Sequence, residues 1–254
     1  AVIVPMPLAI PKASGIRERR GASDSAIRAS MSEAIPTEGG GAPGRPGTVG
    51  MGGAAGAGIA SRGQSVADTD PAELVRVMAS HALGPHHLSR VAIPSLRQRA
   101  AAKGRADIVM ISSVGGKNAL PFAGPYAASK HAVEGLSEAL RRELMPFGID
   151  VVIVAPGAVV TPIWDKTESG VGDYSNTPYA ASVKKMTALM LANAAKGLPA
   201  ERIGEAVKTA LTSPKPKVRY TVAPNPLFVF MIRHLPRRMV DKMIARQVGL
   251  NPPS

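Results

Sequence analysis

From Asp70 onward the apolar positions alternate between two periods. Asp70-Pro71-Ala72-Glu73 offers a capping carboxylate, a proline at the first helical position and an acid in the first turn. Leu74, Val77, Met78 and His81 follow at helical spacing, and a second helical stretch is predicted from Pro85 to Ala102. Asp107-Ile-Val-Met-Ile-Ser-Ser113 is an apolar run of strand length that ends in two hydroxyls. Tyr126 to Leu144 predicts a long amphipathic helix, with Ala127, Val133, Leu136, Leu140 and Leu144 on or near its buried stripe. Gly148-Ile-Asp-Val-Val-Ile-Val-Ala155 is a second buried strand, stopped by Pro156-Gly157. Strands without polar alternation, joined by helices, imply a parallel sheet covered on both faces, an α/β doubly wound architecture.

Either side of this block the pattern changes. Downstream, helices are predicted over Met186–Ala195 and Pro199–Leu211, with a final strand Val218-Arg-Tyr-Thr-Val222. The apolar Leu227-Phe-Val-Phe-Met-Ile232 precedes Arg233, Arg237, Arg238, Lys242 and Arg246, and a helix there would gather Met239, Val240, Met243 and Ile244 on the side opposite those cations. Such a segment suits a lid or subunit contact beside a substrate pocket; a basic amphipathic helix also suits peripheral contact with an anionic membrane. Upstream, Val2-Ile3-Val4 has the composition of a short strand, cut off by Pro5 and Pro7. Arg17–Ile35 has no apolar repeat, and Gly39–Gly58 holds ten of the 26 glycines. The chain thus divides into a degenerate, low-complexity segment, residues 1–65, in place of the first strands, and a patterned domain, residues 66–254, ending in a basic lid region.

Composition narrows the chemistry. With 254 residues there is ample length for one large core. The absence of cysteine excludes disulfides, thiolate metal sites, iron–sulfur clusters and a cysteine nucleophile. His86-His87 are adjacent, without carboxylates around them, which argues against a metal site. The formal charge is +13, and from Lys184 to the end thirteen Lys/Arg against three Asp/Glu account for +10 of it. Few aromatics interleave with those cations, so nucleic acid is not an expected partner. No apolar run reaches the roughly 18–20 residues of a membrane span, and the basic residues follow the apolar Ala1–Ile10, the reverse of a secretory signal. A cytoplasmic protein, with membrane association through its basic end as a further option, is expected.

The candidate chemistry lies where strands end, the usual ligand position in open α/β sheets. Ser112-Ser113 close one strand and Thr161 follows the other. Between them Tyr126 and Lys130 stand four apart, on one helix face. A lysine ammonium beside a phenol favours the phenolate and lowers its pKa toward the range of a working proton donor, while a nearby serine hydroxyl suits a carbonyl oxygen that gains charge during reduction. A Tyr-x-x-x-Lys pair alone is also compatible with an ordinary boundary tyrosine and a solvated lysine. The order strand, Ser-Ser, tyrosine thirteen residues on, lysine, strand, Pro-Gly and threonine is far more specific.

Ile111-Ser-Ser-Val-Gly-Gly116, Gly124-Pro-Tyr-Ala-Ala-Ser-Lys-His-Ala-Val-Glu-Gly-Leu136, Leu140-Arg-Arg-Glu-Leu144 and Ala155-Pro-Gly-Ala-Val-Val-Thr-Pro162 resemble the short-chain dehydrogenase/reductase family, in its branch similar to retinol and hydroxysteroid dehydrogenases. The resemblance covers about residues 66–250 and implies a Rossmann-like fold and NAD- or NADP-dependent interconversion of a hydroxyl and a carbonyl. It implies Tyr126 as general acid/base, Lys130 as modulator of that phenol and ligand of the nicotinamide ribose, and Ser113 as the group orienting the substrate oxygen. Pro156, Gly157, Val159 and Thr161 would line the nicotinamide pocket beside Tyr126 and Lys130. The Leu-, Phe- and Met-rich C-terminal region points to a small, fairly apolar alcohol or ketone as substrate, and the Tyr126 helix to a homo-oligomer.

The chain also departs from the family. Gly52-x-x-x-Gly56-x-Gly58 lies too close to Tyr126 to hold the intervening strands and helices of a dinucleotide turn, and His81 stands at the position of the family's catalytic asparagine. A second function class therefore follows, a protein that keeps the catalytic half but cannot hold the dinucleotide and serves as a binding or interaction module. Residues 1–65 also have the composition of a GC-rich gene read out of frame. That reading predicts that a shifted frame upstream of about codon 65 restores a Gly-rich strand–turn–helix; translating the other two frames of the gene checks it, and finding no such segment in either overturns it.

Overall fold

The computed structural model describes residues 2–4, 65–161 and 174–251. The Gly52–Gly58 pattern and the rest of the low-complexity run up to residue 64 lie outside the described residues. Strands β1 (Val2–Val4), β2 (Ala106–Ile111), β3 (Ile149–Pro156) and β4 (Arg219–Val222) form a sheet in that order. Every pairing is parallel, with Ile108 opposite Val151 and Val154 opposite Tyr220. Val2–Val4 is thus a strand, paired with Ile108–Met110.

Because strand side chains alternate between faces, β2 and β3 supply two cores. Ile108, Met110, Val151 and Ile153 pack with Ala92, Leu96 and Ala100 of helix α2 (Gly84–Lys103) and with Val133 and Leu144 of helix α3 (Gly124–Leu144). Val109, Val152 and Val154 face the other way, onto Ala210 and its neighbours in helix α5 (Ala200–Thr212). Helices therefore cover both sheet faces, which is why β2 and β3 carry no polar alternation. A third cluster joins helix α4 (Ala180–Ala195), through Val183 and Met186, to Val248 and Ile244 of helix α7 (Arg237–Val248), with Phe122 and Tyr174. Helix α6 (Pro226–His234) contains no fully buried residue. Among the described residues no helix is long and apolar enough to cross a membrane.

Three expectations change. Helix α1 (Pro71–Met78) does not stop before α2; it runs into it through a π-turn, Ala79–Leu83, in which the Gly84 N–H bonds back to the Ala79 carbonyl. The wider turn accommodates Pro85, whose ring would obstruct a regular continuation. Leu136 is 40% exposed, on the outer side of α3. In α7, Val240 is buried and Ile244 partly so, whereas Met239 and Met243 face outward among the cations.

The π-turn places His81 in the interior, 1% exposed, with Nδ1 3.0 Å from the Ser129 hydroxyl on α3. That hydroxyl donates to the Tyr126 carbonyl at 2.7 Å. Its single proton being used there, the imidazole donates from Nδ1, which fixes the tautomer. Desolvation, then the charges of Lys130 and Arg76, push the His81 pKa down to about 3 from 6.5. A base with a depressed folded pKa binds its proton more readily once unfolded, so stability falls as pH drops below 6.5 toward 3. Between pH 7 and pH 5 this term removes about 2 kcal/mol. A His81→Gln variant is expected to lose correspondingly less melting temperature over that interval, by about 4–8 °C; calorimetric scans at both pH values check it, and parallel losses in both proteins would refute it.

Candidate active site

Three backbone features bring the polar residues together. β2 ends at Ile111, and the Ser112 N–H still bonds to the Val154 carbonyl at 2.8 Å, so Ser113 leaves the sheet at the carboxyl ends of the strands. Ser113 then caps a 3-10 turn, Val114–Gly116: its hydroxyl accepts from the Gly115 N–H at 3.1 Å. It also donates to the Pro156 carbonyl at 3.4 Å, tying the end of β2 to the end of β3. The third feature is the start of α3, where Gly124-Pro125 open the helix and Tyr126 and Lys130 fall one turn apart on its inner face.

The structure brings Ser113, Tyr126 and Lys130 together. Tyr126 is partly buried, and the Ser113 hydroxyl is its hydrogen-bonding neighbour. The His81 ring meets it edge-on, with centroids 5.6 Å apart and planes at 89°. Lys130 is not a solvated lysine: it is 1% exposed, with Nζ 5.9 Å from the centre of the Tyr126 ring and donating to the Ile111 carbonyl at 3.3 Å. Burial pushes its pKa down to about 8, against an opposing pull from Glu134.

The expected lowering of the Tyr126 pKa by Lys130 is not met. Burial drives that pKa up, and the Ser113 hydrogen bond offsets only part of the rise. Desolvation of the phenolate is the larger effect, and Lys130, which donates to the Ile111 carbonyl with Nζ 5.9 Å from the ring centre, is not among the groups that lower this pKa. Tyr126 is therefore a protonated phenol at neutral pH. His81 stays neutral there too, which removes imidazolium chemistry from the site.

Pro156 and Gly157 occupy the end of β3. The Gly157 N–H bonds to the Val222 carbonyl at 2.8 Å, and a Cβ on Gly157 would lie 2.9 Å from that of Ala223, so the chain passes β4 too closely for a side chain. Val159 forms an isolated parallel bridge with Leu198. Thr161 is the last described residue before residue 174.

Sequence reasoning missed a charged group beneath the site. Glu134, 2% exposed and one turn beyond Lys130, receives the Arg219 guanidinium at 3.2 Å on each carboxylate oxygen and Lys117 at 3.8 Å. Arg219 also reaches the Ser113 carbonyl at 3.4 Å. The four-residue spacing from Lys130 marks Glu134 in the sequence, whereas Arg219 lies 85 residues further on and is placed only by the pairing of β4 with β3.

A family model described as short chain dehydrogenase matches residues 54–172. Among curated relatives, the NADPH-dependent 3-dehydrocapnine reductase of Ornithobacterium rhinotracheale is 38% identical over 148 residues, 58% of this chain and 52% of that protein. Retinol dehydrogenase 16 of Mus musculus is 30% identical over 186 residues, 68% of this chain and 56% of that protein. The chain spans about half the length of the curated relatives it matches. The crystal structure of a short-chain dehydrogenase from Streptomyces avermitilis aligns with a TM-score of 0.56 at 26% identity, covering 75% of this chain and 66% of that one. The matched segment carries β2, α3 and β3 together, and over that part of its length the chain is a member of the short-chain dehydrogenase/reductase family.

Proposed function

We propose that the protein is an NAD(P)-dependent oxidoreductase that interconverts a hydroxyl and a carbonyl on a fairly apolar substrate, with Tyr126, Lys130 and Ser113 as its catalytic residues. The observation that carries this reading is the buried Lys130 ammonium beside the protonated Tyr126 phenol and the Ser113 hydroxyl, all at the carboxyl ends of the strands. The residues present fit a nicotinamide riboside. An ammonium has three N–H donors, and among the described residues one hydrogen bond from Lys130 is seen, to Ile111; the others suit ribose hydroxyls. Pro156, Gly157, Val159 and Thr161, which leave the end of β3, would line the nicotinamide side. The nicotinamide supplies or accepts the hydride.

The chain's own groups handle the proton. In the reducing direction Tyr126 gives its phenolic proton to the substrate oxygen, and in the oxidising direction the phenolate takes it back. Ser113, turning its one hydroxyl proton from the long 3.4 Å bond to the Pro156 carbonyl, would donate a hydrogen bond to the oxygen on which charge develops. Lys130 stabilises the phenolate that forms, which matters because burial otherwise penalises it. His81 orients this end of α3 through Ser129 and shields the phenol from water. One relative is by name a retinol dehydrogenase, which supports an apolar alcohol or ketone. A homo-oligomer belongs to the same reading, supported by the exposed Leu136 on the outer face of α3.

Fluorescence titration of the purified protein with NADH and with NADPH tests the reading; saturable binding of at least one is expected, and binding of neither overturns it. Replacing Tyr126 by Phe is expected to lower kcat by at least about a hundredfold while leaving nucleotide affinity within about twofold. A variant that still turns over would remove Tyr126 as the proton donor.

Lys130 adds a pH dependence. Since kcat/KM reports groups of the free enzyme, kcat/KM for carbonyl reduction is expected to hold near pH 7 and to fall as pH rises through about 8, where the ammonium is lost. The same group sets a stability cost. Lys130 holds its proton less firmly folded than unfolded, so its burial costs about 3 kcal/mol below pH 8, and the cost fades as pH rises from 8 toward 10.5. Lys130→Met is therefore expected to abolish activity while melting no lower than the parent at pH 7; a melting point several degrees lower would contradict that balance.

A further inference from the structure

We propose that helices α6 and α7 form a docking surface for an anionic lipid bilayer. Leu227, Phe228, Phe230 and Met231 are between 46% and 67% exposed, although all four are large and apolar. At helical spacing they form one broad outward face of α6, while the inner side holds only Val229 and Ile232, each partly buried. A four-residue aromatic and aliphatic face on a single helix is the kind of patch that marks an interaction surface.

The next helix extends the same surface with charge. Val240, Ile244 and Val248 turn α7 inward. Met239 and Met243 point out beside Arg238, Lys242 and Arg246. Five Lys/Arg stand against Asp241 alone between residues 226 and 249, a net charge of +4. Among the described residues none of the five forms an ion pair; Arg237 makes a hydrogen bond of 3.5 Å to Asn118. That bond also places the start of α7 beside the loop that leads from Ser113 to Tyr126.

Charge decides the occupant. A second copy docking by this face would set +4 against +4. A bilayer containing acidic lipids offers both things the face lacks, apolar depth for Leu227, Phe228, Phe230 and Met231 and negative headgroups for the arginines and lysine. Binding there does not require turnover, so the inference stands independently of the oxidoreductase reading.

The test is co-sedimentation of the full chain with vesicles of phosphatidylcholine containing roughly 30 mol% phosphatidylserine, against pure phosphatidylcholine. Binding to the acidic vesicles is expected, at least about tenfold weaker to the neutral ones and weakened by salt. Phe228→Ser with Phe230→Ser, and separately Arg238→Glu with Lys242→Glu, are each expected to reduce it about tenfold or more. These side chains are exposed, so unchanged melting curves and circular dichroism show that the fold persists. Absence of binding to either vesicle, equal binding to both, or a self-associated species in sedimentation velocity that the Phe228/Phe230 pair dissolves would overturn the proposal.

Discussion

Burying the Lys130 ammonium is the constraint to which the start of α3 and the strand ends beside it are fitted. An ammonium removed from water is tolerated only with opposite charge and hydrogen bonds close by. Glu134 supplies the charge from the same face of α3. A buried carboxylate then needs its own partners, and these are Arg219 from β4 and Lys117 from the turn after Ser113. The cluster joins the turn after β2 and Arg219, the first residue of β4, to α3 through charge. It leaves little room: a Cβ on Gly116 would lie 2.7 Å from the Ser112 hydroxyl oxygen and 2.9 Å from Glu134 Cγ. Gly116 is fixed by that close approach, and its backbone φ is not the reason. Ser112, pressed into the same corner, is the one buried hydroxyl among the described residues with no hydrogen-bond partner.

This arrangement explains which parts were legible in the sequence. β2, β3 and α3 are visible because each is long, strongly patterned and stabilised mainly by its own core face; the period of the apolar residues predicts both type and position. Ser113, Tyr126 and Lys130 are visible because their spacing along one strand and one helix already places them together. The π-turn at Ala79–Leu83 is not visible, since a single widened turn leaves the helical apolar pattern almost unchanged, while Gly84-Pro85 reads as a break. Leu136 and Met243 are misplaced by periodicity for a different reason: a helix face that looks apolar need not have a partner in the same chain. Arg219 carries no local signal at all, because its role depends on which strand follows α5 into the sheet.

The electrostatics of the site oppose its stability. His81 is kept neutral and Lys130 is held near its titration range by the same burial, and both are costs that a well-packed apolar cluster would avoid. On the proposed mechanism, the burial would provide a phenol that keeps its proton until a substrate oxygen takes it, next to an ammonium that would stabilise the resulting phenolate. A solvated Lys130 would be screened and easier to hold, but it would stabilise that phenolate much less. The raised Tyr126 pKa is therefore no contradiction of an acid role. It sets the resting protonation state, and on the proposed mechanism the ammonium would act on the charged form.

The excess of basic residues is then two populations with opposite physics. Lys117 and Arg219 pair with one buried carboxylate, Glu134, one turn along α3 from the buried Lys130, where salt has little access. The cations of α6 and α7 face solvent with apolar neighbours and no acidic partner among the described residues, where only a large anionic surface returns the repulsion they accumulate. An average charge of +13 hides that distinction. The inner group gives α3 a fixed position against the strand ends. On the proposed docking the outer group would give the molecule an orientation, because a bilayer bound to α6 and α7 would meet the side of the fold from which α7 reaches Asn118, in the loop between Ser113 and Tyr126.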